Sequence, residues 1–486
     1  MLRPMSSWDR RTPKQLAARR VAAVRAQVVD AVGPFSPYWR ERLLSLGRTP
    51  AQAGTLAGLA ALPAAGERDV CPDGNPAGAG SLVLQAGERD FALHAEGPTL
   101  RRALRARLVS KGSYRAVVEA DTRPTSYVWA GLGLRFPVAS TRSDLDVVAR
   151  AGARLWQVLG LTRADVLVAA LPLSPTAALQ ALQYAALGAG SPALFPGAEP
   201  DQVAAALALV PATVLALDPP NAAVLLDDLD EAGAPLSAVA TVLLVGAPTE
   251  DERADVAEAL ARSGARAAVV LAVHAPDGHR LLWGECRQGA GGEQGLHTYP
   301  DLELVALVDP ETGEPATGKP VSRPAVGSGL YEVVLTQLGL RGSALLRWRT
   351  GDLADRLEEA RCPACSRTVP RVVGTRRGAL VPALALRTGH RRVDLRSVSG
   401  ALVGRADVAD WRVLVGPSAR DGADELLVHV APTAGADAGD VAVAVTRDLR
   451  VAAGLLPTQV LVVGTEELPA GAGWLSRRVL SRGRPG

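Results

Sequence analysis

The chain has 486 residues, 53 of them basic and 50 acidic, for a formal net charge of +3. So even a balance excludes the concentrated basic footprint of a nucleic-acid binder. With 48% hydrophobic and 21% charged residues, global disorder is excluded too. The length suits roughly two to four domains, although one large α/β unit can absorb most of it.

The first forty residues carry Arg and Asp throughout and lack a central apolar stretch, so no signal peptide is expected. Residues 166–198 carry no charge but are broken by Pro172, Pro175, Gly188, Gly190 and Pro192. A spanning helix needs about 20 continuous apolar residues. The segment therefore reads as buried strand–helix–strand, and no membrane partner is expected. Four cysteines without a secretory context do not suggest a disulfide framework, and a cytoplasmic location is expected. The tail beyond Arg477 gathers Arg478, Arg482 and Arg484 and reads as a solvated end.

Residues 1 to about 115 read as a helical segment followed by irregular Gly- and Pro-rich chain. Helices are expected over 14–32 and over 36–47, the second opened by Ser36-Pro37 and stopped by Gly47. From about 125, apolar runs alternate with helical patterns. Strands are expected at 166–171, 192–196, 212–217, 240–246 and 267–273, with helices at 176–187, 201–209, 221–230 and 250–263. Continuously apolar strands joined by helical crossovers imply a parallel sheet covered on both faces. Residues 302–350 shift to shorter, more polar strands around the turn at 309–315, as an antiparallel β-subdomain would. After about 376 a smaller α+β unit is expected. It holds a helix at 393–403, strands at 410–416 and 425–432, a helix at 440–453 and a strand at 459–464. The expected fold class is thus α/β: a large domain over 1–375 with mostly parallel sheets and a β-subdomain, then a small domain over 376–486.

The run LLRWRTGDLADRLEEARCPACSRTVPRVVG (345–374) carries the most chemistry. Alone, its Thr-Gly-Asp would read as a turn-capping carboxylate after a strand. In full, the run resembles the phenylacetate–CoA ligases of the adenylate-forming family. Their Arg-Tyr-Arg-Thr-Gly-Asp-Leu core is followed by a Cys-Pro-Cys-Gly-Arg-Thr turn and an Arg-x-x-Gly. Leu346 to Asp352 fit that core, with Trp348 for Tyr. SPYWRERL (36–43) is similar to the family's Ser-Pro-Phe-Tyr-Arg opening. VLLVGAPTEDERADVAEAL (242–260) resembles its strand–Gly-Ala-Glu-Pro–helix, with the Glu absent.

The resemblance implies that Asp352 accepts the ribose hydroxyls of ATP or AMP, which an ionised carboxylate suits. It places Thr350 beside that carboxylate, Arg349 near the phosphates, and Gly246, Ala247 and Pro248 facing adenine. The implied reaction joins a carboxylic acid, aryl or acyl, to ATP with magnesium as an acyl adenylate. Pyrophosphate leaves, and the acyl group passes to coenzyme A while a mobile small domain rotates between the two steps. Members often dimerise, so a homodimer or a partner protein stays open.

Several positions depart from the family. The phosphate loop matches AGLGLRFPVASTRSDLD (130–146), where Gly131, Gly133 and Arg135 are candidate phosphate ligands but the loop itself has no hydroxyl. A buried strand–turn is the alternative reading there. HAPDGHR (274–280) lacks the magnesium-holding Glu; Asp277 is the nearest carboxylate, and His274 and His279 read as loop histidines. GTRRGAL (374–380) has no hinge Asp. Trp474 stands where a catalytic Lys is expected, leaving Arg477, one turn on, as the catalytic candidate. A second reading is therefore a catalytically silent homologue, a pseudoenzyme serving as a binding or assembly subunit.

Cys362 and Cys365 form a C-x-x-C pair. Some members of the family hold zinc with such a pair and an upstream Cys and His, which here would be Cys286 and His297. Three thiolates and one imidazole make a closed, tetrahedral structural site. Free thiols or a redox dithiol are the alternatives, and Glu285 reads as part of the same loop.

Overall fold

The structure is a computed structural model. It describes residues 8–71, 75–85, 97–131, 135–291, 295–316, 330–375, 380–382, 392–394, 398, 401–402, 405–417, 424–452, 455–468 and 479–481.

The chain opens with helix Pro13–Gln27, whose start is fixed by a reciprocal capping box between Thr12 and Gln15. A π-helical turn, Val28–Val32, follows and runs into Gly33–Phe35. Helix Pro37–Ser45 begins on the Ser36 hydroxyl, as the Ser-Pro signal predicts. These helices bury Val24, Val28, Phe35, Trp39 and Leu43 against Phe136, Val138, Leu338, Leu345 and Trp348. Polar contacts fix the register. Trp39 Nε1 donates to Ala344 O at 2.8 Å, and Gln27 Nε2 donates to Leu340 O at 2.9 Å.

Strands β1 (Pro124–Ala130) and β2 (Phe136–Thr141) form an antiparallel hairpin. The parallel core consists of β3 (Leu167–Ala170), β4 (Ala193–Leu194), β5 (Val214–Leu217), β6 (Thr241–Val245) and β7 (Val269–His274). Their spatial order is β4-β3-β5-β6-β7. The expected strands are all present within a few residues. Helices Arg142–Leu159 and Ala177–Ala189 cover one face of the sheet, and Pro200–Leu209, Ala222–Glu231 and Glu250–Arg262 cover the other. Each face thus has its own apolar cluster, and that is why the strands carry no polar alternation. Arg142–Leu159 and Ala177–Ala189 touch backbone to backbone: a Cβ on Gly152 would meet Ala185 Cα at 2.1 Å.

Beyond β7 the sheet turns antiparallel through β8 (Trp283–Gly284) and β9 (Leu296–His297). A separate three-stranded antiparallel sheet, β10 (Glu303–Val308), β11 (Tyr331–Gln337) and β12 (Trp348–Ala354), is the expected β-subdomain. β13 (Arg356–Glu358) and β14 (Arg371–Val373) return the chain to the large sheet beside β9.

β15 (Leu380–Pro382) pairs with β16 (Arg392–Asp394). The expected helix over 393–403 is corrected here. Its first two residues belong to a strand, and helical backbone is described only at 398 and 401–402. A four-stranded sheet of order β19-β18-β17-β20 closes the chain, from β17 (Val408–Pro417), β18 (Asp424–Pro432), β19 (Gln459–Val462) and β20 (Val479–Ser481). Helix Ala438–Ala452 packs on it, and Val398, Trp411, Val413, Val428, Val445 and Leu449 form a cluster of their own. The class is α/β with a smaller α+β part. No helix among the described residues is long and apolar enough to cross a membrane.

Candidate functional site

The parallel strands β6 and β7 end side by side. In open α/β sheets, ligands bind in the crevice outside such carboxyl ends. Gly246 turns the chain out of β6 at φ 152°, and its N–H donates to Val273 O at 2.7 Å. Ala247 is buried behind it, and Pro248 is half-buried. β7 ends in His274, and Asp277 follows on the segment Ala275–Arg280.

β12 delivers the motif residues from the neighbouring sheet. Thr350 Oγ1 donates to Val333 O at 2.9 Å and accepts from Asp352 N at 3.2 Å, bracing a register shift beside Gly351 (φ 72°). Asp352 is brought opposite the end of β7. Its Oδ2 lies 2.8 Å from His274 Nε2, and both side chains are buried. Arg349 faces the other side of the strand. Its Nε donates to Glu332 Oε2 at 2.7 Å, and Nη2 reaches Pro310 O. Glu332 also accepts from Gly351 N at 3.2 Å. Arg349 is thus held in an ion pair within its own sheet and is not brought onto the Asp352 carboxylate.

The loop between β1 and β2 contributes Gly131, at φ 93°. Its N–H points at both oxygens of Asp277, at 2.9 and 3.0 Å. Burial first, then the nearby Glu67 carboxylate and, more weakly, Asp352 push the Asp277 acid well above the usual carboxylate range, against the pull of the Gly131 amide. Arg135 is exposed. Phe136 and Val138 are fully buried in β2, Phe136 edge-on to Trp348 with ring centroids 5.5 Å apart. The strand part of the strand–turn reading is β2, while the Gly131 amide faces Asp277. Gly133 and Arg477 lie outside the described residues.

The sequence did not mark His274 as more than a loop histidine, and no motif would have done so. Its contact appears only when β12 brings Asp352 to the end of β7. His279 is structural: it is fully buried, with Nε2 2.5 Å from Glu303 Oε2. Glu285, next to Cys286 in the chain, makes fold contacts and is not among the four converging ligands. It accepts from Arg253 Nη2 at 2.5 Å and from Ala272 N at 2.8 Å, tying helix Glu250–Arg262 to β7. A buried network around Arg280 also went unread. Its guanidinium bonds Asp144 at 3.2 Å, Ala139 O at 2.5 Å, Ser343 O at 2.7 Å and Gln337 at 2.6 Å.

At the far edge of the sheet, Cys286, His297, Cys362 and Cys365 converge with their ligand atoms all within 4.8 Å of one another. Cys286 Sγ and Cys362 Sγ are 4.0 Å apart, and Cys365 Sγ is 3.5 Å from His297 Nε2. A tetrahedron with zinc–sulfur bonds of about 2.3 Å and zinc–nitrogen bonds of about 2.05 Å has S···S edges of about 3.8 Å and S···N edges of about 3.6 Å. The donor set and these spacings therefore fit such an ion. The turn itself is preformed, with Ser366 in the left-handed region (φ 63°) and Cys362 N donating to Arg367 O at 2.8 Å. The Cys286 thiol, and then His297, hold the Cys365 thiol far below the ordinary cysteine range, at about 2.

No protein-family model matches the sequence, and no curated protein matches it. Solved structures do. The chain is similar to 2-hydroxyisobutyryl-CoA ligase in complex with 2-HIB-AMP and CoA in the thioesterification state, at 16% identity and a TM-score of 0.60, over 99% of this chain and 94% of that one. An open conformation of that ligase, also with 2-HIB-AMP and CoA, gives the same identity and TM-score over 99% and 96%. Its postadenylation state with R3-HIB-AMP gives 0.61, again at 16% identity, over 99% and 94%. The chain has the fold of the adenylate-forming acyl-CoA ligases. Within that class, the fold is matched along nearly the whole length of 2-hydroxyisobutyryl-CoA ligase.

Proposed function

We propose that this protein is an adenylate-forming ligase acting on a carboxylic acid, with ATP and magnesium as co-substrate and coenzyme A as acceptor. The observation that carries the reading is the position of Asp352. A buried carboxylate from the Thr-Gly-Asp strand meets the carboxyl end of β7 at His274, the side of an open α/β sheet on which ligands bind. Asp352 would accept the ribose hydroxyls and Thr350 would hold its strand. Gly246, Ala247 and Pro248 would border the adenine, and Gly131 and Gly133 would offer amides to the phosphates. Arg135, exposed at the loop's far end, and Arg477 would supply positive charge. Arg349 would act through Glu332 by fixing the strand that carries Asp352. The chain would divide at about residue 375, with the part from 376 onward as the mobile small domain.

The four-ligand cluster would hold a structural zinc ion, with Cys286, Cys362 and Cys365 as thiolates and His297 bound through Nε2. With all four positions taken by protein, the ion would have no place for substrate.

A second reading, a silent homologue serving as an assembly subunit, is favoured by one observation: Asp352 and the Gly131 amide, both assigned to the nucleotide, already have partners within the chain. Calorimetric titration with ATP–magnesium and with AMP separates the two. Ligase function expects binding that Asp352→Ala removes, followed by acid-dependent pyrophosphate release. Absence of nucleotide binding would leave the second reading.

A further inference from the structure

Two of the groups that the nucleotide would use, the Asp352 carboxylate and the Gly131 amide, are already matched by a side chain of complementary kind. Ribose would bring hydroxyl donors to Asp352; the imidazole Nε2 of His274 stands there instead, at 2.8 Å. Phosphate would bring oxygen acceptors to the Gly131 amide; both Asp277 oxygens stand there instead, at 2.9 and 3.0 Å. Glycine-rich loops bind anions through such amides, so the Asp277 oxygens take the place that an anion's oxygens would take.

The two occupants belong to one short segment. His274 is the last residue of β7, and Asp277 follows three residues on. Pro276 and Gly278 flank Asp277. Gly278 is at φ 73° and close to Leu345 and Trp348, where an added Cβ would come within 3.1 Å and 3.2 Å. A displacement of 274–278 would free both contacts at once.

Resting on the nucleotide-site reading above, we propose that His274 and Asp277 form an internal latch on this site, so that the nucleotide binds only by displacing them. His274 covers the ribose carboxylate and Asp277 covers the loop amide. The latch lowers affinity for any adenosine nucleotide through His274, and for those with more phosphates through Asp277 as well.

The test is calorimetric titration of the full chain with AMP and with ATP–magnesium. His274→Ala should tighten both nucleotides about tenfold or more, the worth of one charge-assisted hydrogen bond no longer competed for. Asp277→Ser, whose hydroxyl is too short to reach the amide, should tighten ATP more than AMP. His274→Gln keeps a donor in place and should bind as wild type does, and Asp277→Asn keeps an acceptor and should bind no more tightly than wild type. They also serve as folded controls. A purely structural role predicts weaker binding in the truncating variants, never tighter. Unchanged or weaker binding in His274→Ala and Asp277→Ser, while Asp352→Ala still removes it, overturns the latch and leaves the nucleotide reading standing. No binding in any protein, including the His274→Ala, Asp277→Ser double variant, overturns both.

Discussion

Asp277 is held where two other carboxylates and its own burial disfavour its charge, so its proton binds more tightly in the folded chain than in the unfolded one. A folded-state pKa raised above the ordinary 3.8 contributes stability at pH below that value. The contribution is lost as pH climbs through the folded value, because the native state then binds more protons than the unfolded state. Asp277→Asn removes the ionisable group but keeps an acceptor for Gly131. The variant should match wild type near pH 4 and be more stable by about 1 kcal/mol or more at pH 8, read from urea unfolding at both values. Equal stability at pH 8 would show that Asp277 carries no such burden. Residues of this kind are the least legible from sequence. Asp352 and the C-x-x-C pair sit inside a long motif. His274, Asp277 and Arg280 acquire meaning only through partners 78, 146 and 136 residues away.

The elements themselves were far more readable. β3, β5, β6 and β7 are short, continuously apolar runs between helices, a pattern that fixes both element type and burial on two faces. β8 and β9 are two residues each and carry no period, so the antiparallel turn of the sheet edge escaped notice. The crossing of Arg142–Leu159 over Ala177–Ala189 depends on two glycines. A Cβ on Gly152 would lie 2.1 Å from Ala185 Cα, and one on Gly188 would lie 2.0 Å from Ala149 O. Helix propensity alone would favour Ala at such positions by about 1 kcal/mol. Here the backbone is the obstacle, so Gly152→Ala should destabilise by about 1–3 kcal/mol, seen as a lower Tm. Gly112→Ala is the control: its Cβ would meet nothing nearer than 3.9 Å, and it should be neutral or stabilising.

Across the whole molecule, the Cys/His cluster joins segments far apart in sequence; Cys286 and Cys362 are 76 residues apart. The same turn is clasped from the other side, as Arg367 pairs with Asp9 at 2.8 Å and Thr368 N donates to Asp9 O at 2.8 Å. A bound ion would therefore brace the edge of the large sheet and the start of the chain together. Metal analysis of the purified protein should find one zinc per chain, absent from the Cys362→Ser, Cys365→Ser variant, which should melt at a lower temperature. A metal-free wild type with unchanged stability would remove zinc from the account. The change of pattern after about residue 375, from long βα alternation to a compact strand pair and helix, was legible in the sequence, and the proposed domain division rests on that change. The interlocking of the first eighty residues with 338–348 was not legible, because no local signal announces a partner so distant.

That interlocking has a bearing on biosynthesis. Trp39, Leu43 and Leu82 complete their cover only with Leu338, Leu345 and Trp348. At roughly 5–20 residues per second, a ribosome needs on the order of 13–50 s to travel from one group to the other. For that interval the nascent chain carries an apolar surface only partly covered, by Phe136 and Val138, which is a demand for chaperone protection set by topology.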